Sequence, residues 1–237
     1  MEKKKQIYLL IFLILIFFSL NYNFIDEKLG NFLLEGQAQK VLVDRVIDGD
    51  TFVTGIENVR LLGINTPERG EEFYEEAKNF LENLILNKEV TLKYLGERED
   101  KYGRTLAYIY FNGKNINLKL VENGFANYYF YSGKDIYSKD LIEAWNSCIE
   151  NNLNLCEKSN HICSSCISIN EKKIINSCRF NCDIEGWEIK GEGRNKFIFD
   201  GILESGNQEN FNLDLENSGG SLFLRDSEGK LVLWGDY

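Results

Sequence analysis

Apolar and polar positions along the chain follow three successive patterns. An unbroken apolar run extends from Ile7 to Phe18 behind the lysines at positions 3–5, which is the order found in an export signal. From residue 41 onward the apolar positions alternate over short stretches and predict strands, which cover residues 41–47, 50–54, 57–64, 88–95 and 104–111. Apolar residues at helical spacing predict helices among these strands, at residues 71–86, 115–123 and 135–149.

Turn residues add detail to this α+β pattern. The pair Asp48-Gly49 stands between the first two predicted strands and is a frequent hairpin turn. Thr66 and Pro67 suit the N-cap and the first position of a helix, so a helix start there is the ordinary alternative to a functional role for this stretch. Pro67 is the only proline of the chain, and it gives the turn that presents Glu68 a rigidity found nowhere else.

Beyond about residue 174 the pattern is all-β. Short apolar runs alternate with Gly, Asn and Asp turns and predict strands, at residues 186–190, 196–200, 211–215, 221–225 and 230–234. This spacing predicts a small sandwich. Because the composition shifts to Asn, Ser and Cys around residues 150–160, we expect a domain boundary there. The expected segments are 1–24 (signal peptide or membrane anchor), 25–40 (linker), 41–155 (first domain), 156–173 (Cys-rich linker) and 174–237 (sandwich).

The N-terminal apolar run leaves alternatives open. It lies near the lower end of the roughly 20 residues that a helix needs to cross a bilayer. No small-residue cleavage site follows it, since residues 17–21 are bulky, so a retained anchor and a cleaved signal both fit. A buried core helix is the third reading. In the first two cases the lysines stay inside and the rest of the chain is extracellular or on the cell surface.

Charge and histidine content narrow the chemistry. The formal net charge is -10, and residues 41–150 are acidic as well, which argues against binding nucleic acid through a broad basic surface. A nucleic-acid substrate would have to be held locally by a few arginines and a cation. Only one histidine is present, His161, so a histidine-activated nucleophile is poorly supported. Any general base should therefore be a carboxylate.

Three polar clusters carry the groups that phosphodiester hydrolysis requires, at residues 48–51, 60–68 and 100–104. Each alone also fits an ordinary turn or loop. Together they offer oxygen ligands for a hard divalent cation, from the Asp50 and Asn65 side chains and the Thr66 carbonyl. Two guanidiniums, those of Arg60 and Arg104, can bind a phosphate bidentately and stabilise its developing charge.

A carboxylate in the second cluster, Glu68, can accept the proton of an attacking water. The order and separations of the three clusters resemble the staphylococcal (micrococcal) nuclease family over roughly residues 41–150. The resemblance implies a five-stranded OB-fold barrel with three helices, and calcium-dependent cleavage of DNA and RNA that leaves 3′-phosphates. It implies roles for six residues: calcium ligands at Asp50, Asn65 and Thr66, catalytic arginines at Arg60 and Arg104, and a catalytic glutamate at Glu68.

The same resemblance extends to groups around the site. It implies an outer-shell acid at Asp48 and contacts to a nucleotide phosphate at Lys101 and Tyr102. Tyr129 and Tyr131 fall where the family has tyrosines that contact the nucleotide, although each fits equally well as a core aromatic. The family prototype has Asp where this chain has Asn65, so one negative charge is lost. We expect weaker calcium binding, or use of another divalent ion.

The C-terminal segment resembles lamin-tail domains. The resemblance rests on turn and core positions, in residues 181–189, 195–199, 213–220, 222–226 and 229–232. It implies a small immunoglobulin-like sandwich that attaches the chain to a surface or to a protein partner. Trp187 and Phe197 would be core residues there.

Cysteines are confined to the junction between the two predicted domains. They number six: Cys148, Cys156, Cys163, Cys166, Cys178 and Cys182. An even number in an exported chain favours disulfides, for which fifteen pairings exist. The alternative is a zinc site, because the spacing of the last four cysteines suits zinc ligands and His161 lies beside them.

The function expected from these observations is that of an exported, metal-dependent endonuclease acting on DNA and RNA. We expect it to be monomeric, and to contact the membrane through its N-terminal segment if that segment is retained. Two alternatives stay open: a non-catalytic nucleic-acid-binding OB module, and a surface interaction protein whose sandwich does the main work.

Overall fold

The computed structural model describes residues 8, 38–55, 57–130, 133–193, 195–214 and 220–236. The apolar run that predicts an export signal or anchor therefore lies outside the described residues, apart from Tyr8. Within the described part of the chain, none of the helices has the length and apolar character needed to cross a bilayer.

The first domain is built on a mixed sheet. Its strands are β1 (Gln39–Leu42), β2 (Arg45–Asp48), β3 (Thr51–Thr54), β4 (Glu57–Leu61), β5 (Ile64–Asn65), β6 (Glu89–Lys93), β7 (Thr105–Phe111), β8 (Lys114–Asn115) and β9 (Asn127–Tyr128). The main sheet has the order β1-β6-β7-β4-β3-β2, β8 pairs with β7, and β5 pairs with β9. All these pairs are antiparallel except β4 with β7. Because β1 and β2 lie at opposite edges but only residues 43–44 separate them in sequence, the sheet must curve back on itself as a barrel does.

Two of the predicted strands are interrupted. The prediction 41–47 is wrong at residues 43–44, where the amide of Val43 bonds to Lys88 and that of Asp44 bonds to Val53 on the other edge. The prediction 57–64 is wrong at residues 62–63, because Gly63 has φ +73° and a side chain there would collide with the Tyr108 hydroxyl. These interruptions raise the number of strands above the five expected. The predicted hairpin is confirmed, since β2 and β3 pair antiparallel across the Asp48-Gly49 turn.

Three helices cover the barrel: α1 (Tyr74–Ile85), α2 (Ile116–Glu122) and α3 (Ser138–Asn151). All three were predicted, but the alternative of a helix start at Thr66 and Pro67 is wrong. The Thr66 amide and hydroxyl donate to the Asp50 carboxylate, at 3.1 and 3.0 Å, so they are not used for capping. Residues 66–73 form a loop instead, which we call the 66–73 loop, and α1 begins only after Phe73.

The C-terminal part is all-β, as predicted. Its strands are β10 (Ile167–Asn170), β11 (Lys173–Asn176), β12 (Cys182–Asp183), β13 (Glu188–Gly191), β14 (Lys196–Ile198), β15 (Ile202–Leu203), β16 (Gln208–Asn210), β17 (Ser221–Arg225) and β18 (Leu231–Asp236). They form sheets of order β14-β13-β17-β18, β10-β11-β16 and β12-β15, around a second apolar core. β10 lies within residues 156–173, the segment predicted as a linker.

One predicted strand of this part, 211–215, is wrong where the structure describes it. Residues 211–214 lie outside any strand, and the chain pairs instead at β16, directly before them. Phe211 and Leu213 are nevertheless buried, at 3% and 2% exposure. The alternation of apolar residues in this segment therefore marks two buried side chains, although the backbone that carries them lies outside any strand.

The disulfide prediction is confirmed. The pairs are Cys148–Cys156, Cys163–Cys182 and Cys166–Cys178. His161 accepts a hydrogen bond at Nδ1 from the Cys163 amide, and its ring packs edge-on against Trp187. The zinc alternative is wrong, because all six sulfurs are bonded in pairs.

The two parts of the chain share apolar contacts. Phe223 of β17 and Leu231 of β18 belong to the core cluster of the first domain. The Phe223 ring lies 5.2 Å from that of Trp145 and 5.7 Å from that of Tyr128, centroid to centroid. The Tyr128 hydroxyl donates to Ser221 Oγ at 2.8 Å. The C-terminal part, which we call the sandwich after its predicted form, also contacts the 66–73 loop, since Lys190 of β13 bonds to Glu71.

Candidate active site

A buried carboxylate forms the centre of the site. Asp50 ends the β2–β3 turn and is 6% exposed. Its Oδ2 accepts from the amide and the hydroxyl of Thr66, and its Oδ1 accepts from the Thr51 hydroxyl at 3.0 Å. These bonds draw the end of β5 onto the β2–β3 turn. The first two sequence clusters therefore meet at one point.

The guanidinium of Arg60, on β4, completes the cluster around Asp50. The Nη2 of Arg60 lies 3.0 Å from Asp50 Oδ2 and donates to Asn65 Oδ1 at 3.2 Å. Its Nη1 donates to the Leu61 carbonyl at 2.6 Å. Arg60 is 8% exposed, so these bonds hold the charge in a largely dehydrated position. The structure thus brings together Asp50, Arg60, Asn65 and Thr66, all four of which the sequence singled out.

A second carboxylate lies behind the first. Asp48 Oδ1 accepts from the Asp50 amide at 3.1 Å. Burial, and then the negative charge of Asp50, raise the pKa of Asp48 to about 6. Two acids held this close favour a positive charge between or beside them.

Arg104 lies on the loop before β7. Its Nε donates to Asp100 Oδ2 at 2.7 Å, and its guanidinium carbon lies 5.5 Å from the centroid of the Tyr102 ring. Burial alone would raise the pKa of Asp100, but hydrogen bonds from the Arg104 amide and side chain outweigh it and lower the pKa. In this structure Arg104 is therefore paired with Asp100, whereas Arg60 is paired with Asp50.

Strand register relates the two arginines. β7 runs parallel to β4, and Leu106 is the partner of Arg60. Paired residues share one face of a sheet, and so do residues two apart on one strand. Extending β7 by one residue places Arg104 on the face that carries Arg60.

Glu68 is half-buried on the 66–73 loop, two residues beyond Thr66. Its amide donates to Glu71 Oε2 at 2.8 Å, so the loop is braced by one of its own side chains. Glu71 was not singled out from the sequence. An acid in a run of glutamates before a helix gives no signal that distinguishes it from a solvated one.

The remaining predicted contacts are dispersed. Tyr102 is 70% exposed and the Lys101 ammonium lies 5.2 Å from its ring centroid, on the same turn as Arg104. Tyr129 is half-buried, and its amide donates to the Gly63 carbonyl at 2.8 Å. Tyr131 lies outside the described residues.

A cleft of about 420 Å³ adjoins the Asp50 cluster. Its walls come from both domains: Asn65, Thr66, Pro67 and Asn127 on one side, and Lys190, Lys196 and Arg225 among others on the sandwich side. Asn127 is the β9 partner of Asn65, is 8% exposed, and its Oδ1 has no hydrogen-bond partner among the described residues. The sequence does not single out Asn127, because the aromatic residues that follow it, 128–131, suggest nucleotide contacts or core positions and an asparagine among them gives no separate signal.

Comparisons with known proteins agree with this geometry. A family model described as staphylococcal nuclease homologue matches residues 58–158. The thermonuclease of Staphylococcus intermedius is 36% identical over 132 residues, which are 52% of this chain and 79% of that protein. The thermonuclease of Staphylococcus hyicus is 33% identical over 122 residues, covering 47% and 72%. Endonuclease YncB of Bacillus subtilis is 33% identical over 121 residues, covering 46% and 57%.

The range of the family model contains strands β5–β9, the three helices and three members of the cluster, Arg60, Asn65 and Thr66, whereas Asp50 lies before it. Membership implies an OB-fold, a hydrolase activity and a nucleic-acid substrate. The chain therefore belongs to the staphylococcal nuclease family and is a nuclease.

Proposed function

We propose that this chain is an exported, calcium-dependent endonuclease that cleaves DNA and RNA and leaves 3′-phosphate ends. The observation that carries the proposal is the convergence of Asp50, Arg60, Asn65 and Thr66 on one buried point beside an open cleft. A non-catalytic binding module would not need a buried carboxylate and a guanidinium fixed at 3.0 Å beside that cleft.

The donor set fits a hard cation. Asp50 and Asn65 offer side-chain oxygens and Thr66 its carbonyl, while Asp48 would bind through water from behind. The Asn127 Oδ1, buried and unpartnered within the described chain, adds an oxygen on the same side. A bound cation there would offset the charge that attack places on the phosphate. The amide at Asn65 leaves the set one charge short, so another divalent ion is an alternative to calcium.

The two arginines would hold the phosphate. Arg60 can turn one edge of its guanidinium toward a phosphate oxygen that lies beside Asp50. Arg104 shares that face of the sheet and would exchange Asp100 for the substrate. Glu68, on the loop whose residues 66, 67 and 70–72 line the cleft, would accept the proton of the attacking water.

Nucleotide contacts would come from the turn beside Arg104 and from the β9 segment. Lys101 can neutralise a neighbouring phosphate, and the exposed ring of Tyr102 can stack on a base. Tyr129, and Tyr131 beyond the described residues, are proposed to contact the nucleotide as well.

The rest of the chain is proposed to serve export and attachment. The three disulfides suit an oxidising compartment, in line with the apolar N-terminal run as a signal or anchor. Two apolar cores support a division into a nuclease domain, 41–155, and a lamin-tail-like domain whose core also takes in Cys163 and Ile167 of the segment predicted as a linker. We propose that the sandwich also presents an attachment surface and that the chain is monomeric.

Cleavage of labelled single-stranded DNA by the full-length chain tests the proposal. Calcium should support cleavage and a chelator should abolish it. Glu68→Gln and Arg104→Ala should each lower kcat by about 10²- to 10⁴-fold, the usual range for a lost general base or charge stabiliser. Glu76→Gln, at an exposed position on α1, is the matched control and should cleave like the wild type. Undiminished cleavage in chelator, or by Glu68→Gln, would refute the mechanism.

A further inference from the structure

An ion pair joins the sandwich to the 66–73 loop, which carries Glu68. Lys190 lies on β13, is 9% exposed, and donates through Nζ to both carboxylate oxygens of Glu71, at 3.1 and 3.0 Å. Glu71 belongs to the 66–73 loop of the nuclease domain. The two residues are 119 positions apart in sequence, so the pair exists only because the domains are docked.

Glu71 connects Lys190 to the backbone of Glu68. The Glu71 Oε2 that Lys190 binds also accepts from the Glu68 amide at 2.8 Å. Burial opposes ionisation of Glu71, but the bond from the Glu68 amide and the charge of Lys190 outweigh it, so the pKa of Glu71 lies below its usual value. Glu71 is therefore an ionised acceptor shared by a backbone donor of the loop and a cation of the sandwich.

Other contacts hold the same loop against the same domain. Lys196 on β14 lies 3.5 Å from Glu71 Oε1 and 2.8 Å from Glu188 Oε2, so it holds Glu71 from a second strand. At the far end of the loop, Gly229 packs so closely on Glu72 that an added Cβ would collide with its carboxylate. The sandwich thus constrains two consecutive residues of the loop that carries Glu68.

Adhesion between the domains does not require this pair. The interface already has the apolar contacts of Phe223 and a hydrogen bond between Tyr128 and Ser221. Burying an ammonium and a carboxylate is costly, and well-packed apolar side chains hold a surface together at least as well. A buried pair that also binds a particular backbone amide differs from such packing because it fixes geometry.

We propose that the sandwich completes the active site, and that Lys190 is a positioning residue which acts through Glu71 to fix the loop presenting Glu68. This inference rests on the proposed role of Glu68. Small displacements of a catalytic group are costly, since about 1 Å can lower a rate by about 100-fold. The catalytic consequence of losing Lys190 should therefore exceed its consequence for binding.

Kinetics of the full-length chain test the inference. Lys190→Met removes the ammonium and keeps the length of the side chain. We expect kcat on single-stranded DNA to fall by about 10- to 100-fold, with KM and the Kd for calcium within about twofold of wild type. Lys190→Arg keeps the charge and should restore most of kcat. Lys172→Met is the matched control, since within the described residues that ammonium donates to the Leu213 carbonyl of the sandwich and does not contact the 66–73 loop; it should leave kcat unchanged.

A measurement that does not depend on activity accompanies the kinetics. Hydrogen exchange at the Glu68 amide, followed by NMR, should accelerate in Lys190→Met but not in Lys172→Met. In a Glu68→Gln background, Lys190→Met should lower the residual kcat no further, because both changes act on one group. Should Lys190→Met fail to fold, Glu71→Ala removes the same connection and carries the same expectations.

The outcomes separate the two proposals. If Glu68→Gln is as active as wild type, the proposed base is wrong and the inference about Lys190 falls with it. If Glu68→Gln is inactive but Lys190→Met matches Lys172→Met in kcat and in exchange at Glu68, only the inference is refuted. A loss confined to KM would also refute it, because a positioning residue acts on the chemical step.

Discussion

Phe223 offers a direct test of whether the two domains unfold as one unit. It is carried by β17 of the sandwich, yet its side chain is 1% exposed and belongs to the core of the nuclease domain. Its ring meets those of Trp145 and Tyr128 edge to face, at 5.2 and 5.7 Å. Truncating a buried Phe to Ala costs about 3–5 kcal/mol. Each aromatic pair lost adds about 0.5–1.5 kcal/mol, so we expect Phe223→Ala to lie in the upper part of that range.

The expected effect is large enough to measure by two methods. For a chain of this size, 1 kcal/mol shifts Tm by about 2–4 °C, so the range of 3–5 kcal/mol predicts a shift of about 6–20 °C. Calorimetry of wild type should show one transition, because unfolding of the sandwich would withdraw Phe223 and Leu231 from the nuclease core. Urea unfolding gives the free energy independently. Phe180→Ala is the matched control, since Phe180 is a sandwich residue that is 41% exposed, and its truncation should cost less than about 0.5 kcal/mol.

Two results would refute this reasoning. One is a loss of less than about 1 kcal/mol in Phe223→Ala, below the range for a buried aromatic. The other is a calorimetric trace in which a small sandwich transition moves while the main nuclease transition stays in place. Either result would mean that Phe223 covers the nuclease core without stabilising it.

Three further predictions concern charge and covalent links. Asn65→Asp adds a negative charge to the proposed ligand set and should tighten calcium binding at least about tenfold, measured by calorimetric titration. The control Asn58→Asp, at an exposed position, should leave the calcium affinity unchanged. Equal calcium affinities of the two variants would exclude Asn65 from the site. The pKa of Glu71 is lowered by folding, so its contribution is present above its unfolded-state pKa and is lost as pH falls through the folded-state value. The free energy of unfolding in urea should therefore be higher for wild type than for Glu71→Gln at pH 7, and this difference should shrink below about pH 4. A difference that does not change with pH would contradict the ion pair. Replacing Cys148 and Cys156 together with Ser opens a link of sequence separation 8 and should cost about 2–3 kcal/mol in urea unfolding; an unchanged midpoint would show that the link constrains neither state.

The sequence was informative where contacts are local. Asp50 directly precedes β3, Arg60 lies in the adjacent strand β4, and Thr51 pairs directly with Arg60 in the β3–β4 register. Once the hairpin signal at Asp48-Gly49 is recognised, strand alternation brings these side chains together without any knowledge of the rest of the chain. Asn65 follows within five residues of Arg60. This short-range geometry explains why the proposed metal ligands could be named in advance.

Sequence patterns gave a wrong prediction where a polar group could form either a local bond or a tertiary one. Thr66 is a favourable helix cap, and Pro67 suits a first turn, but the Thr66 amide and hydroxyl are both taken by the Asp50 carboxylate. A bond to a buried charge is stronger than a cap, so the tertiary contact prevails over the local preference. Phe211 shows the same limit for apolar residues, since periodicity marks a side chain as buried without requiring its backbone to join a sheet.

Net charge proved to be the least informative property for the site. The chain carries -10, which argued against a nucleic-acid partner, yet two of the acids that line the cleft, Glu71 and Glu188, are paired with lysines. Glu71 is bound by Lys190 and Lys196, and Lys196 also binds Glu188. A substrate phosphate responds to the charges within a few ångströms because salt screens the others beyond about 10 Å. What matters for binding is therefore which acids are already paired, and that pairing crosses a domain boundary that no local pattern in the sequence could have bridged.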